Sequence, residues 1–212
     1  MKDALKEWNS TLEALGSGKL IAIWRKGGIE DTPNVRTPNE AFKTKSKQFV
    51  LYPTYTHQSI EKIKPEFTSV LNERNVINKD NQVKLKYWAL VEEEIIPESI
   101  DELLALSSEL ANTDEHLVSS WNLYPDHKGK ILLLRVYKLG DPILITHSPN
   151  YNGCKSWIEL SIDIPKVGSK AVLSFKDFNK KSKLIKTLIE EAIQLRASST
   201  TEEIVDITKV ES

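Results

Sequence analysis

The stretch VKLKYWALV, residues 83–91, decides the fold class of this 212-residue chain. Apolar and aromatic residues occupy every second position from Val83 to Val91, and Lys84 and Lys86 fall between them. Successive side chains of a strand point to opposite faces of a sheet, so this alternation predicts a β-strand with one buried face. The fold is therefore expected to be built on a sheet, and the neighbouring segments indicate its extent.

Six further segments have the composition of strands, being rich in apolar and β-branched residues and bounded by turn-forming ones. They are residues 19–25, 48–52, 130–139, 142–147, 157–164 and 171–175. Gly140-Asp141 separates two of them and predicts a hairpin turn. Helices are predicted from apolar residues at helical spacing. These are residues 4–15, 65–75, 100–111, which follow a capping box at Ser99, and 177–196.

These strands and helices do not alternate strictly along the chain, which is typical of the α+β class. We expect a mixed or antiparallel sheet of about seven strands, able to curl into a partial barrel, with about four flanking helices. The length suits one α+β domain, residues 1–196. Residues 197–212 are rich in Ser, Thr and Glu and are predicted to be a loose tail.

The composition also predicts the cellular compartment of the protein. Cys154 is its one cysteine, so the chain has no intramolecular disulfide and fits a reducing compartment. The first eight residues lack the apolar core of a signal peptide, and no apolar run is long enough to span a membrane. We therefore expect a cytoplasmic protein with no membrane partner.

The charge balance, 29 Lys and Arg against 30 Asp and Glu, conceals an uneven distribution. Ten of the acids, and no Lys or Arg, lie between Ala89 and His127. The rest of the chain then carries nine more basic than acidic residues, which can attract a polyanion. The acidic segment, residues 92–126, is interpreted as a solvated face, and the alternative is a docking site for a basic protein partner.

Three loops have the composition of binding sites. The first is Arg25-Lys26-Gly27-Gly28, at the end of a predicted strand. Two glycine N–H groups beside two cations can form an anion-binding nest, although the same residues also suit a tight turn with solvated charges.

The second loop, residues 52–58, leaves a strand and supplies a hydroxyl from Tyr55, an imidazole from His57 and an amide from Gln58. Polar side chains at this density on a loop favour a functional role, with His57 as a candidate general acid or base. The alternative is a rigid structural corner fixed by Pro53.

The third loop, residues 148–157, ends in Cys154, Lys155, Ser156 and Trp157. Trp157 falls opposite the apolar face of its strand, so it is either an exposed stacking surface or covered by another element. Cys154 is interpreted as structural, because a free cysteine usually packs as a small hydrophobic residue. A nucleophilic role would need a base within reach, and the sequence does not place one there.

The sequence lacks the motifs of several well-known binding and catalytic sites. The chain has no phosphate loop, no dinucleotide-binding glycine fingerprint, no zinc-protease helix and no nucleophile elbow. Its four histidines are scattered and its one cysteine cannot build a cysteine-rich zinc site, so neither a metal nor a cofactor is expected.

The same loops carry a family resemblance. The segments LKEW at 5–8, RKGGI at 25–29, FVLYPTY at 49–55, LLRVY at 133–137 and GCKSWIEL at 153–160 resemble the signature of a prokaryotic family, domain of unknown function 1802. The resemblance runs from about Leu5 to Ile164. It implies no activity, ligand or cofactor.

Three functions remain open from the sequence. The first is a nucleotide- or nucleic-acid-binding module, in which cations hold phosphate and aromatic rings stack on bases. Its candidate residues are Arg25, Lys26, Gly27, Gly28, Tyr55, Gln58, Arg135, Lys155 and Trp157. The second is a hydrolase or transferase that acts on a phosphate-bearing or acyl substrate. In it His57 is the acid or base, Arg25 and Lys26 hold the anion, and Cys154 is a candidate nucleophile. The third is an interaction protein that uses the acidic segment. The first two require the three loops to meet in one basic hollow.

Overall fold

The computed structural model describes residues 1–26, 42–55, 57–70, 77–123 and 128–210, without the side chains of 69–70 and 199–210. Within these residues it has seven strands and four α-helices. The strands are β1 (Asp3–Trp8), β2 (Ala22–Arg25), β3 (Gln48–Thr54), β4 (Gln82–Ile95), β5 (Lys130–Thr146), β6 (Trp157–Glu159) and β7 (Lys170–Ala171). The helices are α1 (Asn9–Gly16), α2 (Ile100–Ala105), α3 (Asp114–Asn122) and α4 (Phe175–Val210).

All seven strands form one mixed sheet, which confirms the predicted α+β fold. The strand order is β2-β5-β4-β3-β1-β6, and β7 pairs with β5 outside this path. The β1–β3 pair is parallel, and the other strand pairs of the described chain are antiparallel. The sheet curls into a half-barrel, so its two edge strands, β2 and β6, approach each other across the open side.

Both faces of the sheet are covered. In β3, Phe49 and Leu51 belong to the core cluster that includes Leu15 of α1, whereas Val50 between them belongs to a second cluster on the other face. A third cluster packs α2, α3 and α4 against β2 and β5, with Leu103 and Ile185 fully buried in it. This two-sided burial makes the centre of the sheet a rigid support for the loops at its ends.

The helix predicted over residues 4–15 is wrong in its first half. Residues 3–8 form β1, which lies between β3 and β6, and α1 begins only at Asn9. The helical spacing of Leu5 and Trp8 with the leucines of α1 is coincidental. Backbone pairing on both sides of β1 overrides the local preference of its residues, a competition that a local pattern does not reveal.

The predicted hairpin at Gly140-Asp141 is also absent, because β5 continues through both residues. In the β4–β5 ladder, Tyr87 pairs with Lys138 and Leu85 pairs with Ile143. Two steps along β4 thus correspond to five along β5, and the extra residues form an irregularity in the strand. Gly140 lies at this irregularity in β5. Glycine within a strand often marks a bulge as well as a turn.

Other element boundaries differ from the sequence prediction. The third predicted helix ends at Ala105 and is followed by a short 3₁₀ turn, whereas α3 was not predicted. Residues 65–70 form a 3₁₀ helix, and the rest of that predicted helix lies outside the described residues. The strands near the carboxyl end are shorter than predicted, and α4 extends beyond residue 196 to Val210. Among the described helices, none has the length and apolar character that crossing a membrane requires.

Candidate functional site

The open side of the half-barrel contains a cavity of about 260 Å³. It is lined by the end of β1, the end of β2, the loop after β3, the segment before β6, and residues of and just before α3. All three loops selected from the sequence contribute, through Arg25 and Lys26, through His57, and through Cys154 and Lys155. Residues distant in sequence therefore share one site because the sheet curls.

Arg25 holds the two edges of the sheet together at this site. Its Nη1 donates to Oε2 of Glu7 at 2.9 Å and to the carbonyl oxygen of Lys6 at 3.4 Å, both on β1. Its Nη2 donates to Oγ of Ser156, just before β6. Phe42 lies beneath the guanidinium, with its ring centre 5.4 Å from Cζ. Arg25 thus links β2 to the β1–β6 edge through side-chain contacts.

Lys6 fixes the loop that carries Cys154. Its side chain is largely buried, and Nζ donates to the carbonyl oxygens of Tyr151 at 2.8 Å and Gly153 at 2.7 Å. A buried ammonium needs such acceptors, because desolvation of an unsatisfied charge is costly. The result is a defined backbone path immediately before Cys154.

Lys26 and Lys155 add two further cations to the cavity wall. Lys26 donates from Nζ to the carbonyl oxygen of Trp121, and burial lowers the pKa of its ammonium. Lys155 is partly exposed and makes no hydrogen bond or ion pair with the described residues, so its charge can be shared with a ligand. Lys6 and Arg25 bring the described lining to four cationic side chains, against the single carboxylate of Glu7.

His57 reaches the cavity from a turn with an unusual backbone. Its φ of 61° lies in the left-handed region, which histidine and asparagine enter more readily than most residues. Gln58 anchors the turn, since its Oε1 accepts from the backbone N of Ser10 at 3.3 Å and from Oγ of Ser10 at 3.2 Å. Tyr55 accepts a hydrogen bond from Nδ2 of Asn9 at 3.3 Å. Tyr55 and Gln58 therefore tie the His57 turn to the start of α1.

The structure brings His57 against Cys154, a contact that the sequence does not indicate. Nε2 of His57 lies 3.7 Å from Sγ of Cys154, and both residues line the cavity. Cys154 is exposed, so it does not pack as the small hydrophobic residue that its chemistry suggested. An imidazole within reach of a thiol supplies a base that the sequence alone does not place near Cys154.

His116 of α3 forms another part of the wall. Its ring lies 5.2 Å from that of Trp8, and its surroundings lower the pKa of the imidazole, first through burial and second through the charge of Lys62. The neutral form is therefore favoured in the folded protein, in contact with the aromatic side of the cavity.

This lowered pKa makes the protein less stable in acid. An unfolded histidine takes up a proton below about pH 6.5, but His116 in the folded chain resists protonation until lower pH. As pH falls through that window the unfolded state binds more protons, so the free energy of unfolding decreases. We expect His116→Gln to lose less stability than the wild type between pH 7 and pH 5, measured by urea denaturation. An equal loss in both proteins would contradict this assignment.

Other predicted residues lie elsewhere. Trp157 stacks on Phe42 with ring centres 6.2 Å apart, packs edge-on against Phe49 at 4.9 Å, and donates from Nε1 to the carbonyl oxygen of Lys43. It stands behind the cavity and does not line it. Arg135 lies on β5 with Cζ 5.2 Å from the ring centre of Phe175, away from the cavity. Gly27 and Gly28 lie outside the described residues.

Several residues of the cavity wall were not candidates from the sequence, among them Lys6, Trp8, Trp24 and His116. The first two were hidden by the wrong helix assignment, although the motif LKEW at 5–8 marked them as part of the family signature. Trp24 was placed only as a strand residue; in the structure its Nε1 donates to Oγ of Ser120 at 3.0 Å. In the described part of the chain, no three His, Cys, Asp or Glu side chains are grouped as metal ligands would be.

Four acids of the acidic segment form ion pairs within the molecule. Ion pairs join Glu93 to Lys186, Glu94 to Lys130, Glu98 to Lys128 and Glu102 to Arg196. Residues 124–126 of the segment lie outside the described residues. Docking of a basic partner on this segment stays a prediction.

These observations define the class of protein: an α+β protein whose half-barrel sheet has a cationic cavity on its open side. The family model described as "Domain of unknown function (DUF1802)" matches residues 4–183, and the chain belongs to this family. This match confirms the resemblance seen in the sequence motifs. No curated protein matches the chain.

Two solved structures are similar in fold, both of mutant forms of ZmASCH from Zymomonas mobilis. The first is 12% identical, covers 86% of this chain and 94% of its own, and has a TM-score of 0.42. The second is 14% identical, covers 86% and 96%, and has a TM-score of 0.39. Likeness at this level carries no argument about function.

Proposed function

We propose that the protein binds a nucleotide unit, free or at the end of a nucleic acid strand, in the cavity between β2 and β6. The observation that carries the proposal is the convergence of four cationic side chains from three separate segments, with one carboxylate among them. Such a concentration of positive charge in a concave site attracts phosphate and strengthens its binding by focusing the field. Lys155, which lacks a partner among the described residues, is the best placed of the four to contact an anion.

Two indoles line the apolar part of the proposed ligand site, and Trp8 is the partly exposed one, whereas Trp24 is buried. Trp24 is held by Ser120 and stacks on Trp121 with ring centres 6.1 Å apart, and Trp8 packs against His116. Aromatic side chains favour bases through stacking, with little dependence on sequence. The volume, about 260 Å³, is slightly below the usual range for ligand pockets, about 300–1,000 Å³, and favours a single nucleotide unit over a duplex.

Lys155→Ala should weaken the binding of AMP about fivefold to tenfold, because a charge-assisted hydrogen bond to phosphate is lost at a partly solvated position. Tryptophan fluorescence can follow the titration, since two indoles line the cavity. The matched control is Lys84→Ala, which removes an exposed lysine of β4 outside the cavity and should leave affinity unchanged.

Parallel titrations with AMP, adenosine, a short single strand and a duplex separate the possible sources of the phosphate. The proposal expects AMP and the single strand to bind, adenosine to bind more weakly, and affinity to fall as salt rises. Equal binding of AMP and adenosine, or no binding of any of the four, would remove it.

A second candidate function is a hydrolase or transferase that acts on a phosphate-bearing substrate, with His57 as acid or base. The observation in its favour is the contact between His57 and Cys154 inside the same cavity. General acid–base groups act only within hydrogen-bond reach of the proton that they move, and this pair approaches that condition.

A further inference from the structure

The backbone segments that carry the thiol of Cys154 and the imidazole of His57 are both anchored by hydrogen bonds. Lys6 fixes the carbonyls just before Cys154, and the turn of His57 is tied to α1 through Gln58. The Sγ–Nε2 distance of 3.7 Å therefore joins two anchored segments 97 residues apart in sequence. Cys154 is also the one cysteine of the chain and is exposed to the cavity, so a substrate can reach it.

The surroundings of this pair indicate what kind of substrate it would take. Lys155 follows Cys154 directly, and Arg25 and Lys26 face the same space, so a phosphate group is attracted to a position near the sulfur. A cysteine sulfur is an effective nucleophile toward carbonyl carbon, and a phosphate held by cations is a good leaving group. The pair and the cations together fit an acyl group that is attached to phosphate.

We propose that Cys154 is a nucleophile and His57 its general base, and that together they cleave acyl groups from phosphate-bearing substrates. This inference rests on the proposed anion site for its substrate class, but the reactivity of the thiol stands on the His57 contact alone. It assigns a reaction to a cavity for which the family description names none.

The reaction is written in two steps. Sγ of Cys154 attacks the carbonyl carbon of an acyl phosphate while His57 takes the thiol proton; the bond between carbonyl carbon and phosphate oxygen breaks, and phosphate leaves with that proton. The protein then carries a thioester. Water, deprotonated by His57, attacks the thioester carbonyl, the carbon–sulfur bond breaks, and the free acid and the thiol are restored. The only co-reactant is water.

The reactivity of the thiol can be tested without knowing the natural substrate. Because the chain has a single cysteine, the rate of alkylation by iodoacetamide, followed by intact-protein mass spectrometry, reports on Cys154 alone. His57→Asn removes the base and keeps a residue that tolerates the left-handed backbone, so we expect alkylation at pH 7 to slow by at least about tenfold.

The matched control for this loss is His147→Gln. His147 lies outside the cavity and touches the same loop, since its Nε2 is 3.0 Å from Oδ1 of Asn152. Its replacement should leave the alkylation rate unchanged. Equal rates in the wild type and His57→Asn, or an equal slowing in both variants, would overturn the assignment of His57 as the base.

The substrate class is tested with acetyl phosphate. The wild type should form an acetylated Cys154, detected by mass spectrometry after an acid quench, and release phosphate, whereas Cys154→Ser should do neither. Absence of both the thioester and phosphate release, with iodoacetamide reactivity intact, would overturn the acyl-phosphate assignment. Iodoacetate supplies the separate test of the anion site: an anionic reagent should gain an advantage over iodoacetamide that Lys155→Ala reduces. If iodoacetate has no such advantage, the proposed anion site is refuted. The role of His57 is then decided by the alkylation rates alone.

Discussion

Glu7→Gln is expected to lower the free energy of unfolding by about 3 kcal/mol and, at the same time, to strengthen anion binding. Glu7 is 8% exposed and is the ion-pair partner of Arg25, with 2.9 Å between Nη1 and Oε2. Glutamine keeps the shape and one acceptor oxygen but removes the charge. The guanidinium is then left in a largely buried position without its counter-charge, which is the costly case for a buried pair.

Anion affinity should rise in the same variant because Glu7 is the one carboxylate in the described cavity wall. Removing a negative charge from among four cations strengthens the field on a bound phosphate, and we expect AMP to bind about fivefold more tightly. Urea denaturation and fluorescence titration of the same preparation measure the two effects. The opposite signs distinguish this result from simple damage to the site, which would lower both quantities.

The control for the stability effect is Glu98→Gln. Glu98 pairs with Lys128 at 2.6 Å, but both side chains are about half exposed. Exposed ion pairs contribute less than about 1 kcal/mol, so this variant should unfold almost as the wild type does. A loss as large as that of Glu7→Gln would show that the burial of the Arg25 pair does not set its energy.

Phe49→Ala should destabilise the protein by about 4 kcal/mol, which is the largest effect that we expect from a single substitution. Phe49 is fully buried in β3, and its ring meets Trp157 edge-on at 4.9 Å. The substitution removes a large apolar side chain from a core that is supported on both sides by strands and cannot collapse easily. It also removes the aromatic contact, which contributes beyond its area.

The same variant should weaken the ligand site indirectly. Phe49 supports Trp157, Trp157 stacks on Phe42, and Phe42 lies beneath Arg25. A matched control is Phe175→Ala, because Phe175 is 65% exposed and contacts Arg135 away from the cavity. It should cost less than about 1 kcal/mol and leave anion binding unchanged. Equal losses in the two variants, by urea denaturation, would contradict the supporting role of Phe49.

The sequence predicts the fold class because residues 83–91 carry a clear two-residue period, and that segment lies within β4 of the sheet. The prediction from sequence fails at β1, where Lys6 and Glu7 are buried. Their charges are satisfied by backbone carbonyls, which accept from Lys6, and by Arg25, which pairs with Glu7. Long-range partners of this kind stabilise a polar residue in a central strand, and no local pattern records them.

For the site, local composition indicated the right loops. It did not distinguish side chains that face the cavity from side chains that hold a loop in place. Clusters of polar residues selected the loops of Arg25, His57 and Cys154, which do meet. Whether a residue such as Gln58 faces a ligand or holds the turn depends on α1, which approaches from elsewhere in the chain. The approach of His57 to Cys154 depends on the curvature of the sheet, so it becomes visible only in three dimensions.

The bond set of Arg25 has a mechanical consequence. Elsewhere the strands are joined by backbone ladders, but Arg25 connects β2 to the far edge through a carboxylate, a carbonyl and a hydroxyl. These bonds can be exchanged one at a time for bonds to an incoming anion, without breaking a ladder. An anion that takes the place of one of these acceptors would therefore change the link between the two sheet edges while every strand pair keeps its backbone hydrogen bonds.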